Sequence, residues 1–225
     1  MGEVKTRGMD FLKRFTRLNA GLLLYALGIV MTMRAGLGYA PWEVFHAGLG
    51  LTLGISIGKV SVLAGIVIGL AALLMGEKLG LGTILNMVAI GVYMDWILAI
   101  PGFPRAHGWL GGGALMLAGL FTIALATYFY ISSGFGAGPR DSLMVALTRR
   151  TGLAVGLCRV LIEGSAVLTG ALLGGSFGAG TVIAAVAIGF CVQLTFALLK
   201  FDPTRIRHET LGDTFRQWAV RSQVV

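Results

Sequence analysis

Few residues in this chain could do chemistry, and most of them fall in two matching segments. The first reads Gly36-Leu-Gly38-Tyr-Ala-Pro41-Trp42-Glu43, and the second Gly134-Phe-Gly136-Ala-Gly-Pro139-Arg140-Asp141. The glycines let the backbone bend sharply. Proline then fits the first helical turn, where no N–H is needed. An acidic residue two positions on complements the positive end of the helix dipole. A short helix is therefore expected over 41–50 and another over 139–148, each about 15 Å long, or half a hydrocarbon core. Such a half-helix could be re-entrant, its free N–H groups forming an anion or polar-solute site near the midplane. It could equally lie flat in the headgroup region with Trp42 as an interfacial anchor.

Arg159 and Glu163 add a second constellation. They are four residues apart and can pair on one helix face. Glu163 falls near the middle of an apolar stretch, where an ionised group is costly unless paired or hydrated. It is read as a pathway-lining residue or proton carrier, against the plainer reading of a packing salt bridge. Glu43, Arg140, Asp141, Arg159 and Glu163 are thus the candidate solute or ion pathway. Asp95 and Gln193 occupy matching places and suggest a shared structural role, such as capping a re-entrant loop. His46 reads as packed or interfacial, and Asn86 as a weak candidate. No enzyme chemistry is expected. Ser132-Ser133-Gly134 has no histidine in a partner stretch, and no metal motif occurs. Cys158 and Cys191 suggest neither a metal nor a disulfide, and no cofactor is implied.

These residues are positioned by a duplication. Residues 20–96 shifted by 98 positions fall on 118–194 without a gap, and 23 of the 77 pairs are identical. Gly80-x-Gly82-Thr83 lands on Gly178-x-Gly180-Thr181, and Gly58 on Gly156. Hydrophobic residues make up 56% of the 225 and charged ones 12%, with a mean hydropathy of +0.84. That excess of apolar surface belongs in lipid. Six stretches can span a bilayer as helices: 18–35, 57–75, 82–100, 112–132, 156–174 and 180–199. With the N-terminus cytoplasmic, 15 of the 18 Lys and Arg residues fall inside, the positive-inside bias. The net charge of +8 is then a topology signal, and no nucleic-acid partner is expected.

The fold expected is an all-α membrane protein. Its six transmembrane helices form two inverted-topology three-helix repeats, because an odd span count turns the second copy over. Residues 1–17 form a basic amphipathic cytoplasmic start that anchors to lipid, and 18–100 form the first repeat. An outer linker at 101–111 leads to the second repeat at 112–200. Residues 201–225 form a cytoplasmic tail, with Pro203 ending the last helix and a short helix around 209–220.

Several segments resemble the YczE/YyaS/YitT-like family of bacterial integral membrane proteins. They are Gly136-Ala-Gly-Pro-Arg140-Asp141-Ser-Leu-Met, Arg150-Thr-Gly152, Arg159-x-x-x-Glu163, and Gly178-Ala-Gly-Thr181 leading to Ile188-Gly189 and Gln193. The first repeat matches through Pro41-Trp42-Glu43-Val-x-His46-x-Gly48-Leu49, Gly80-x-Gly82-Thr83 and Asp95, with Glu43 where the family pattern has Asp. The resemblance covers roughly 18–200. It implies a multi-pass protein of the bacterial plasma membrane and supplies no substrate.

Together these features suggest a transporter or channel for a small anionic or zwitterionic solute. Arg140 adds positive charge at one half-helix only. The partners expected are the lipid bilayer, the solute, and further copies of the chain in a homo-oligomer. The other class is a non-transporting accessory or assembly subunit of another membrane system. It requires solid packing at the two motifs, where transport requires a polar cavity.

Overall fold

The computed structural model describes residues 2–214 and residue 216, with side chains from Asp10 onward. Among the described residues, eight α-helices build the body: α1 (Gly2–Arg34), α2 (Pro41–Leu53), α3 (Ile57–Leu74), α4 (Leu81–Leu98), α5 (Gly108–Ser133), α6 (Pro139–Thr151), α7 (Val155–Leu172) and α8 (Ala179–Leu198). Among the described residues there is no strand. Six of these helices are long and apolar enough to cross a bilayer: α1 from Asp10, then α3, α4, α5, α7 and α8. The short helices α2 and α6 begin at the two prolines and run three residues past the expected ends, stopping at Gly54 and Gly152 in the left-handed conformation. Glycine at the helix C′ position closes the last turn without a Cβ penalty.

α1 and α5 form the central antiparallel pair. Their backbones approach closely at Gly28 and Gly119, where an added Cβ would lie 2.7 Å and 2.8 Å from the opposite glycine's carbonyl oxygen. Small residues let spanning helices approach this closely, which gains van der Waals contact that lipid cannot supply. At one end of the pair, the Arg14 Nε donates to the Ser133 carbonyl at 2.8 Å. At the other, an added Cβ on Gly112 would meet the Ala35 carbonyl. α4 packs on α1 and α8 on α5, α3 lies along α4, and α7 holds α2.

The two glycine-rich approaches interlock across the repeats. Gly82 N–H donates to the Phe135 carbonyl at 2.7 Å, and Gly180 N–H to the Leu37 carbonyl at 2.7 Å. Gly38 and Gly136 have φ of +107° and +115°. A Cβ on Gly38 would strike the Gly178 backbone, and one on Gly136 the Gly80 backbone. Each Gly-x-Gly-Thr motif therefore grips the loop that leads to the other repeat's short helix.

Several boundaries differ from expectation. The outer linker is shorter than 101–111, because α5 begins at Gly108. The glycines at 111–113 stay helical, since Gly112 fits against Ala35 and Leu37. Pro203 does not end the last helix. α8 stops at Leu198, Lys200 follows with φ of 52°, and Pro203 opens a separate 3-10 turn, 203–205. Within the tail, 211–214 and 216 are helical, and the rest of the expected 209–220 helix lies outside the described residues. Phe11 and Phe15 of the basic start pack with Phe135, and Arg14 lies 4.5 Å over that ring and pairs with Glu209. The N-terminal helix and the tail thus share one end of the molecule.

Candidate functional site

Pro41, Trp42 and Glu43 open α2; Pro139, Arg140 and Asp141 open α6. All six line one cavity of about 570 Å³. They arrive there from opposite ends. Arg34 closes α1 at one end, and Ser133 closes α5 beside Arg14 at the other. Twenty residues of α1 separate those levels, about 30 Å of helix rise. Yet the Arg140 guanidinium carbon sits 4.3 Å over the Trp42 ring. A cation on an indole face contributes about 0.5–2 kcal/mol, more as water is removed. The contact joins the first turns of the two short helices directly.

Arg159 and Glu163 line the same cavity from α7. Their Nε–Oε1 separation is 3.0 Å, with side chains 56% and 28% exposed. The five candidate pathway residues are thus brought together. Arg140 shares the cavity with Glu43, Asp141 and Glu163, and Asp141 shares it with Arg159. Glu43 is 4% exposed. Among the described residues, the four ion pairs within 4.0 Å do not include Glu43, Arg140 or Asp141. Of these three, Glu43 is buried, Arg140 half-buried and Asp141 exposed, and charged groups that line a cavity without a paired partner favour a polar or charged occupant. The rest of the wall is aliphatic, with Ile29, Ile68, Leu120, Ile123 and Ile188 prominent.

Asp95 and Gln193 part company. Asp95 accepts from Ser56 Oγ and from Gly58 N–H, the latter at 3.0 Å. It caps the start of α3 and ties it to α4, rather than capping a re-entrant loop. Gln193 instead lines the cavity. The divergence follows from sequence: the repeat mate of Ser56 is Ala154, which has no hydroxyl to offer. The glycines at 36, 38, 134 and 136 shape the approaches rather than the cavity wall.

Two residues set aside above belong to the site. His46 and Asn86 both line the cavity. His46 is 1% exposed, and its Nδ1 has no hydrogen-bond partner. The available signal was its place three residues after Glu43, which puts both on one helix face. Tyr25 and Thr127 also line the wall, their hydroxyls 2.7 Å apart. No sequence pattern marked them, because their mates at the 98-residue offset, Ile123 and Ile29, are apolar.

Residues 12–196 match the family described as a family of unknown function, DUF6198. The chain is 32% identical over 188 residues to the uncharacterized membrane protein YczE of Bacillus subtilis, covering 83% of this chain and 86% of that one. It is 34% identical over 187 residues to an uncharacterized protein of Haemophilus influenzae, covering 81% and 85%. The uncharacterized protein YyaS of Bacillus subtilis is 22% identical over 182 residues, covering 80% and 90%. No solved structure matches the chain.

Proposed function

We propose that this chain, which belongs to the DUF6198 family, is a transporter or channel of the bacterial plasma membrane for a small solute, anionic or zwitterionic, bound where α2 and α6 begin. The observation that carries this reading is the shared cavity. Two helix starts reach it from opposite ends and place Trp42 against Arg140. The same geometry supports re-entrant half-helices, since the first turns of α2 and α6, whose preceding spans end at opposite ends, meet at the Trp42–Arg140 contact. Inverted repeats are supported by the antiparallel α1–α5 pair and by exchanged contacts: α1–α4 mirrors α5–α8, and α2–α7 mirrors α6–α3.

The solute's negative group would meet the Arg140 guanidinium and the free N–H groups of the two helix starts. A positive group would meet Glu43 or Asp141. Arg159 and Glu163 stand at the mouth, where a solute passing in or out must disturb their pairing. The chain catalyses no reaction in this reading and carries no cofactor. The accessory-subunit alternative requires solid packing at the two motifs, and the open volume there favours transport over it.

The test begins with the purified protein screened for thermal stabilisation by zwitterionic and anionic metabolites. A stabilising compound is then followed into proteoliposomes. Uptake that Arg140→Gln abolishes and Arg140→Lys partly restores supports the site. Uptake or stabilisation unchanged in Arg140→Gln refutes it.

A further inference from the structure

The six spanning helices form a ring in which one seam is held far more weakly than its repeat mate. α4 packs on α1 and on α3, α1 on α5, and α5 on α8, while α6 bridges α3 to α7 and α2 packs on α3, on α7 and, lightly, on α8. α7 and α8 scarcely touch. Their repeat mates show what a closed seam looks like. Gly58 of α3 and Gly91 of α4 pack backbone to backbone, so that a Cβ on either would strike the other's carbonyl. The equivalent glycines, Gly156 and Gly189, face open space with nothing within 4 Å of an added Cβ. The clamp that Asp95 makes to Ser56 and Gly58 has no counterpart, because Ala154 and Gln193 stand in those places.

The gap leads inward to the cavity. Arg159 and Glu163 line it on one side, and Ala185, Gly189 and Gln193 on the other. The outer surface beside it is apolar: Leu157 and Val160 on α7, and Val186 and Phe190 on α8, are all exposed. A portal between two lipid-facing helices opens on hydrocarbon. A wholly polar solute would lose its hydration in crossing it, whereas an amphiphile can keep its tail in lipid while its head goes in.

The cavity itself selects the head. Three carboxylates, from Glu43, Asp141 and Glu163, share it with the guanidiniums of Arg140 and Arg159. A simple anion would add to the excess of negative charge, so the head must carry a cation. Arg140, which has no ion-pair partner among the described residues, and His46 Nδ1, unpartnered among them, both serve an anionic group, the histidine when its Nδ1 bears the proton. The cavity's volume of about 570 Å³ suits a head and the first part of a chain, with the remaining tail in the seam.

We infer that the solute is a zwitterionic amphiphile taken from the bilayer through the α7–α8 seam, with its ammonium at Glu43 and Asp141 and its anionic group at Arg140. This rests on the solute-site reading above and narrows it. The test uses the full chain in nanodiscs containing phosphatidylethanolamine with a diazirine at the head end of its acyl chain, followed by photolysis and peptide mapping. Labelling of cavity residues such as Trp42 and Met144 is expected, besides the outer faces of α7 and α8. Gly189→Phe, which fills open space and so leaves folding intact, should abolish the interior labels and spare those at Leu157 and Val186. The same probe with a phosphatidylglycerol head should label the interior about tenfold less. Labels confined to outer faces in the unmodified protein, or interior labels that survive Gly189→Phe, overturn the lateral route. Equal interior labelling by both heads overturns the zwitterion. If the lateral route fails while Arg140-dependent uptake of a water-soluble compound persists, the site stands and only the amphiphile is lost.

Discussion

Arg159 and Glu163 are paired 3.0 Å apart on a face that lines the cavity mouth, so their replacement separates pathway from packing. Glu163→Gln should abolish transport while the protein still inserts and folds. The expected stability loss is below about 2 kcal/mol, because Arg159 keeps access to water in the cavity. Uptake and a thermal melt of the same preparation decide it: full activity in a folded Glu163→Gln protein removes this residue from the mechanism. A pure packing pair would instead show lost stability that Arg159→Gln then restores. Glycine offers a second comparison. Gly136 has φ of +115° and its Cβ would meet the Gly80 backbone, which cannot yield. A Cβ on Gly69 would meet only the flexible end of Met87. Gly136→Val should therefore lower the yield of folded protein sharply, and Gly69→Val only modestly, as read by size-exclusion chromatography in detergent.

The two helix pairs matched by the 98-residue offset are held differently. α3 is fixed to α4 by the Asp95 carboxylate, which accepts two hydrogen bonds at the start of α3. α7 has no such tie to α8. Asp95→Ala should cost about 3 kcal/mol, the range for hydrogen bonds to a charged acceptor. Gln193→Ala should cost little, since among the described residues Gln193 makes no side-chain hydrogen bond. Thermal melts of the two variants side by side check this, and equal losses would mean that the clamp is not what holds the α3–α4 seam. The difference also fits the proposed lateral route, because an element that admits a solute is drawn from the weakly held end of the stability range.

At the scale of the molecule, both the N-terminal helix and the tail sit at one end, joined through Arg14 and Glu209. Ala106 N–H donates to the Arg34 carbonyl and Tyr39 N–H to the Ser176 carbonyl, so the 101–107 and 173–178 loops share the other end. With the basic end cytoplasmic, cysteines placed at Arg105 and at Ser176 should both react with an impermeant maleimide added outside intact cells, and one at Arg150 should not. Labelling of Ser176→Cys only after the cells are broken would invert half the molecule and end the inverted-repeat reading.

By itself the sequence determined the spans, the two short helices and the pairing of motifs. Apolar length marks a membrane helix whatever its neighbours do, and a Gly-Pro start acts through local backbone sterics alone. The 98-residue offset made the matching positions legible as well. What only the tertiary structure decided is where those matches break. Gly58 and Gly156 are the same residue in sequence, yet one is packed and the other faces open space. Asp95 and Gln193 look like equivalent polar residues until Ser56 and Ala154 are seen beside them. His46 is packed, as its sequence setting suggests, but that it also lines a cavity follows only from helices far apart in the chain. Local propensity is written residue by residue along the sequence. An opening between two helices is a property of the whole ring, because it depends on which of its contacts are missing.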